Sequence, residues 1–308
     1  MRSKLFRRRF LQRKFTSSFK LNPKLTRNRI ARLLSGIVGL FTAISILPLV
    51  SVMSFIFIRG YDKLSLKLLT ELPPAAGFDG GGIGNAIMGT ITITTIASML
   101  SIPIGVGGGI YIAELIKEGF FTEMIKFGSR VLSGIPSIIY GICIYETVVA
   151  TRLFFDKSYG AVAGGICLGL IMIPSVFQTT YSASRAVPSE YREIAIGLGG
   201  SESATIKNIV LPTALKKITT GITLAISRAA GETAPLVFTA LFSPFWPEGL
   251  FNPIATMSVL IYNFSSAPYK SQNDLAWAAS FVLMMLILVA NLFARWIVYL
   301  LNRPISPK

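Results

Sequence analysis

Six stretches of the chain carry eighteen or more residues almost free of charge: Leu33–Ile58, Asn85–Ala113, Met124–Val149, Tyr159–Tyr181, Ile218–Phe242 and Leu275–Leu301. A helix needs about twenty apolar residues to cross a hydrocarbon core of roughly 30 Å, so each run is long enough to span a bilayer. With 52% hydrophobic and only 14% charged residues over 308 positions, the chain is too apolar for a water-facing domain of that size. The expected fold is an all-α integral membrane protein with six transmembrane helices.

A formal charge of +16 raises the question of a nucleic-acid partner, and its distribution answers it. Residues 1–32 contain Lys and Arg without Asp or Glu and run directly into the first apolar stretch. That is the pattern of a cytoplasmic N-terminal tail under the positive-inside rule, with anionic headgroups as a further attraction, so no nucleic-acid partner is expected. The same composition would suit an organelle transit peptide. Leu33–Ile58 is too long for the core of a secretory signal, and no small-residue cleavage site follows it.

With both termini in the cytoplasm, six crossings place 182–217 inside, and that segment carries Arg185, Arg192, Lys207, Lys216 and Lys217. The outer segments are sparser and mixed in sign: Arg59, Asp62, Lys63, Lys67, Glu71 and Asp79, then Arg152, Asp156 and Lys157, then Glu248, Lys270 and Asp274. The permease domain therefore spans 33–301, with a short cytoplasmic tail at 302–308. Pro244, Pro247, Pro253 and Pro268 argue against a continuous helix in the last outer segment, and the apolar stretch Ile254–Phe264 inside it is too short to span; it is expected as an interfacial or re-entrant piece. Glycines 105, 107, 108 and 109 and prolines within the runs suit closely packed, bent membrane helices.

Hydrolytic and metal chemistry lack their parts. There is no histidine, and Cys143 and Cys167 lie in separate apolar runs where a thiol behaves as a small hydrophobe, so no metal, cofactor or catalytic residue is assigned. A GxxxxGK[ST] loop is absent, and the run from Asp79 to Gly84 lacks the lysine that would neutralise phosphates. The run reads instead as a flexible entry into the second span.

The inner segment is the most informative. From Ser189 to Lys217 it reads as two short helices: Ser189 and Glu190 suit the first N-terminus, Gly199 and Gly200 a stop, Ser201 a second cap, and Pro212 the start of the next helix. Glu193, Ala195, Gly199, Ile209, Leu211 and Pro212 match the spacing E-A-A-x3-G-x9-I-x-L-P, with Ile194 in place of the first alanine. This resembles the cytoplasmic loop of ABC-importer permeases. The resemblance implies a type I importer permease fold, a coupling helix at 189–217 docked on two ATP-hydrolysing subunits, a homologous permease subunit completing the pathway, and an extracytoplasmic binding protein. It also implies a bacterial inner membrane location.

Further segments at 81–90, 103–114, 132–141 and 227–236 resemble the phosphate branch of that family, the PstA type, whose cargo would be inorganic phosphate. Arg228 lies ten residues into the fifth run, about 15 Å by helical rise and so near the membrane midplane. A charge there is expensive, and a guanidinium fork suits phosphate oxygens, so Arg228 is the leading substrate-pathway residue. Glu232, four residues on, is expected on the same helical face as its partner, and Thr233 as a hydroxyl donor. A purely architectural Arg–Glu pair is the competing reading. Arg130 and Glu146 are expected near opposite ends of the third run. Sulfate or molybdate would suit the same arginine, an ion-coupled carrier would use similar buried charges without an ATPase, and a noncatalytic scaffold would explain the helices alone.

Overall fold

A computed structural model describes residues 25–116, 119–151 and 159–301. The basic tail up to position 24, the outer charges Arg152, Asp156 and Lys157, and the C-terminal tail 302–308 lie outside them. The described residues form eleven helices: α1 Leu25–Tyr61, α2 Leu66–Thr70, α3 Gly84–Leu115, α4 Phe120–Gly134, α5 Ser137–Val149, α6 Ala161–Arg185, α7 Ser189–Gly197, α8 Glu202–Gly231, α9 Ala234–Thr239, α10 Met257–Ser265 and α11 Lys270–Leu301. Among the described residues no strand occurs. Five helices (α1, α3, α6, α8 and α11) are long and apolar enough to cross a membrane, and α4 with α5 makes a sixth candidate as one broken span.

The chain divides into a unit ending at Phe55 and a larger one from Ile56 onward. The first, within its described residues, is the greater part of α1, which begins at Leu25, so the end of the basic segment is already helical. The second holds everything else and is organised around α3 and α6. These two helices approach at glycines spaced four apart on each partner. A Cβ on Gly105 would meet Val176 at 2.7 Å and one on Gly109 would meet Thr180 at 2.7 Å, while a Cβ on Gly165 would clash with Ile96 and one on Gly169 would meet Leu100 at 2.8 Å. Small residues permit such proximity, where dispersion rather than water exclusion drives helix association in lipid. Gly107 meets nothing within 4 Å, so only part of the glycine cluster serves packing. Ile93, Ala97, Leu168, Met172 and Val176 join Ala225 and Ala229 of α8 and Leu236 of α9 in a single core.

Three expectations are corrected. The run Met124–Val149 is not one straight helix: α4 and α5 meet at 95°. Pro136 disfavours helical geometry in the residue before it, and Ile135 is extended at φ −72° and ψ 130°. The run Ile218–Phe242 is not one helix either, because α8 starts at Glu202 and stops at Gly231, with the backbone extended at Glu232. Nor is the glycine run before α3 a loose entry. Gly82, Ile83 and Gly84 donate to the carbonyls of Leu72, Leu68 and Glu71, strapping the run to α2, and a Cβ at Gly82 would lie 2.5 Å from the Lys67 carbonyl.

The segment after α9 folds back onto the start of α3. Asn85 Nδ2 donates to the Ser243 carbonyl at 2.9 Å, and the Met257 amide donates to Thr90 Oγ1 at 2.9 Å. Met257, Val259 and Leu260 of α10 are buried, as are Ile254 and Ala255 before it. The short apolar piece is thus an internal element packed against the start of α3, with the amides of Ile254, Met257 and Leu260 bonded inside protein.

Candidate functional site

Two Arg–Glu pairs mark the places where the chemistry collects. The first lies at the break between α8 and α9. Arg228 occupies the last turn of α8, where a cation complements the helix dipole, rather than the middle of a long helix. Glu232 is not on the helical face of Arg228; it caps the helix C-terminus with extended backbone. The two nevertheless meet, Arg228 Nε donating to Glu232 Oε1 at 3.4 Å. The bond is long and single. The Arg228 side chain is 68% exposed while that of Glu232 is 16% exposed. Ser258 Oγ donates to the Glu232 carbonyl at 2.8 Å, fixing the backbone at the break, and Asn291 of α11 donates to Ser227 Oγ at 2.9 Å one residue before the arginine. Thr233 precedes α9 without capping it by its side chain, and its carbonyl accepts from Leu236 and Val237. Irregular backbone within an apolar bundle is stable only where protein or a water-lined cavity satisfies it, and here Ser258 supplies one such bond to the Glu232 carbonyl.

The second pair fixes the inner segment. Arg192 of α7 donates through Nη2 and Nε to Glu114 Oε1 and Oε2 at 2.7 and 2.9 Å, a two-pronged contact. Its remaining donors reach the carbonyls of Ser184 at 3.0 Å and Val187 at 2.7 Å, at the end of α6 and in the turn that follows. Glu114 is only 5% exposed and Arg192 23%. The carboxylate bonds hold the guanidinium pKa above its ordinary value, against the opposing effect of burial. One side chain thereby ties α7 to both α3 and α6. This latch escaped the sequence reading, although a lone carboxylate closing an apolar run and an arginine inside a recognisable motif were its available signals.

Around that latch the motif residues divide by role. Gly199 has φ +86°, and its amide and that of Gly200 donate to the carbonyls of Ile196 and Ala195, each at 2.9 Å. That is a left-handed helix stop, which glycine adopts without Cβ strain. Ser201 Oγ accepts from the Ala204 amide at 3.2 Å, as expected of a cap. Ser189, by contrast, is the first residue of α7, and no side chain caps that end. Pro212 lies in the first turn of the α-helical stretch Leu211–Gly231, as expected of a helix start, but that stretch is joined directly to the turns before it. α8 runs through it without a break, accommodating the missing N–H with the π-helical turn Ile206–Val210. Leu211 packs on a small cluster of Ala183, Val187, Val210, Ala214 and Ile218, Ile209 is half-buried, and Pro212 is exposed. Glu193 is exposed, and α7 buries no residue: Tyr191, Ile194, Ile196 and Leu198 all face outward. The inner segment is therefore a rigidly seated helix with an unsatisfied apolar surface.

Arg130 and Glu146 are exposed on α4 and α5. Cys143 and Cys167 are free thiols, the second fully buried.

A family described as binding-protein-dependent transport system inner membrane component matches residues 105–307, two thirds of the chain and both Arg–Glu pairs. The chain belongs to this family. As a permease it is 36% identical over 269 residues to the phosphate transport system permease protein PstA of Yersinia pestis, covering 87% of this chain and 89% of the relative. It is 32% identical over 291 residues to a probable ABC transporter permease protein, YqgI, of Bacillus subtilis, covering 90% and 96%. In fold it is similar to a chain of a bacterial alginate ABC transporter crystallised with an alginate-loaded periplasmic protein, at TM-score 0.63 and 16% identity over 88% of this chain and 96% of that one. It also resembles a chain of the inward-facing methionine ABC transporter MetNI, at TM-score 0.57 and 15% identity over 71% and 95%.

Proposed function

We propose that this permease forms one half of the transmembrane pathway of an ATP-driven importer for inorganic phosphate. The observation that carries the reading is the 36% identity, over nearly the whole of both chains, to a phosphate permease. The chain belongs to an inner membrane family of multi-pass permeases, and both termini and the segment 182–217 are assigned to the cytoplasm on the distribution of basic residues. The partners are a homologous permease subunit, two ATP-hydrolysing subunits and an external phosphate-binding protein. ATP is hydrolysed on the partner, since this chain carries no phosphate-cradling loop with its lysine.

The apolar outward face of α7 is the ATPase contact, with Glu193 at its edge. Closure of the ATPase pair moves α7 as a lever. The Arg192–Glu114 latch passes that displacement to α3 and α6 together, whose glycine-lined seam makes them one rigid body. At the far end Arg228 receives the anion. Its long contact with Glu232 leaves guanidinium donors available, and hydrogen phosphate can displace the carboxylate or donate its own proton to it. Thr233 supplies a further hydroxyl at the helix break.

Reconstitution of the complex with its binding protein tests this. Phosphate is expected to stimulate ATP hydrolysis and to be taken up, whereas sulfate is not. Uptake by liposomes lacking the ATPase would overturn the importer, and equal stimulation by sulfate would overturn the cargo.

A further inference from the structure

A groove of about 760 Å³ lies between α8 and α11; neither Arg228 nor Glu232 lines it, although Asn291 in its wall bonds Ser227 beside Arg228. Lys216 and Arg295 line it together with Thr219, Thr220, Thr223 and Asn291, and no carboxylate does. Two cations facing one cavity without an acidic neighbour repel each other unless an anion enters. The threonine hydroxyls are already committed: Thr219, Thr220 and Thr223 donate to carbonyls four residues earlier. Asn291 is likewise engaged, with Ser227 and the Ile287 carbonyl. The charged donors that line the groove are the ammonium and the guanidinium, which suit a phosphate group better than a neutral polar molecule.

The rest of the lining says which kind of phosphate. Leu224, Ala294, Val298 and Tyr299 complete the groove, so the cationic positions adjoin a largely apolar surface suited to a hydrocarbon chain. Trp296 and Tyr299 are exposed near Arg295, five and two residues before the end of α11, and aromatic residues with flanking cations mark the headgroup level of a membrane. A basic pocket between membrane helices at that depth fits an anionic lipid headgroup. We infer that the groove between α8 and α11 is a binding site for an anionic phospholipid of the leaflet facing the cytoplasm, its phosphate held by Lys216 and Arg295 and one acyl chain lying along Leu224, Ala294 and Val298. An occupied site would brace α8, the helix that connects the coupling segment to Arg228.

The test is native mass spectrometry of the purified whole complex, titrated with phosphatidylglycerol, with phosphatidylcholine of the same chains, and with inorganic phosphate. Phosphatidylglycerol is expected to bind preferentially, and Lys216→Gln with Arg295→Gln to weaken it by about tenfold or more, since each basic residue near a membrane surface contributes appreciably to anionic lipid affinity. Lys216→Arg should retain binding, and Lys217→Gln, which removes the neighbouring charge outside the groove, should change it less than about twofold. Unchanged phosphatidylglycerol binding by the double variant would overturn the site. Equal binding of both lipids would overturn the headgroup assignment, and displacement of the lipid by millimolar inorganic phosphate would overturn the lipid in favour of free anion. The readout is lipid mass on the complex, so a failure of phosphate import leaves it unaffected.

Discussion

The two Arg–Glu pairs use the same residue types in opposite ways. Arg192 and Glu114 are 78 positions apart, meet through two short bonds at 2.7 and 2.9 Å, and spend the guanidinium's other donors on backbone carbonyls. Arg228 and Glu232 are neighbours in sequence, touch once at 3.4 Å, and leave the arginine 68% exposed. A guanidinium with every donor committed holds helices together; one with donors to spare can take a ligand. The first pair is built as a structural tie, and the second leaves a guanidinium able to take the anion proposed for it.

Breaking the first pair should therefore have the largest structural effect. Removing one partner strands a desolvated charge, which typically costs about 3 kcal/mol or more. Glu114→Gln or Arg192→Gln is expected to raise hydrogen exchange across α7 and to uncouple ATP hydrolysis from uptake, while a double replacement by methionine recovers part of the protection. Protection of α7 equal to wild type in Glu114→Gln would place the latch elsewhere. Gly199→Ala comes next, because φ +86° with a Cβ costs about 1–2 kcal/mol. It should unseat the turn after α7 and lower coupling, with cargo affinity unchanged.

The unequal pairs also show what the chain discloses without coordinates. The apolar runs, the glycine stop at Gly199 and the cap at Ser201 were legible because each is a local pattern with a fixed spacing. The motif at 193–212 pointed to the permease family for the same reason. Arg192–Glu114 was not legible, since a contact across 78 residues leaves no periodic trace and both partners fall in segments already accounted for otherwise. The breaks at Pro136 and Gly231 were hidden by uniform apolarity: hydropathy counts residues and does not register where a helix stops inside the run. That is why Arg228 reads as the middle of a helix and proves to be its last turn, and why Glu232 reaches it through the departing chain rather than along a helical face.

Arg228→Ala sharpens the contrast from the other side. An exposed, single, long ion pair contributes less than about 1 kcal/mol, so folding and assembly should be close to wild type. Phosphate uptake is nevertheless expected to fall by about tenfold or more, the loss of one charge-assisted contact to an anion. Normal uptake would reduce Arg228 to an end-of-helix cation.

Glu232→Gln should have the smallest effect on stability and the most specific effect on transport. The amide keeps the shape of the side chain, and the backbone at 232 remains held by Ser258 and by its own amide's bond to Ala229. If the carboxylate competes with cargo for the guanidinium, neutralising it frees Arg228: the anion should bind more tightly within the pathway, and turnover should slow because release is delayed. If the carboxylate instead accepts the proton of hydrogen phosphate, the variant should lose affinity, and fully deprotonated or non-protonated oxyanions such as sulfate should gain relative to phosphate. Measuring phosphate and sulfate uptake side by side separates the two, and an unchanged ratio with unchanged turnover would leave Glu232 as nothing more than the residue that ends α8.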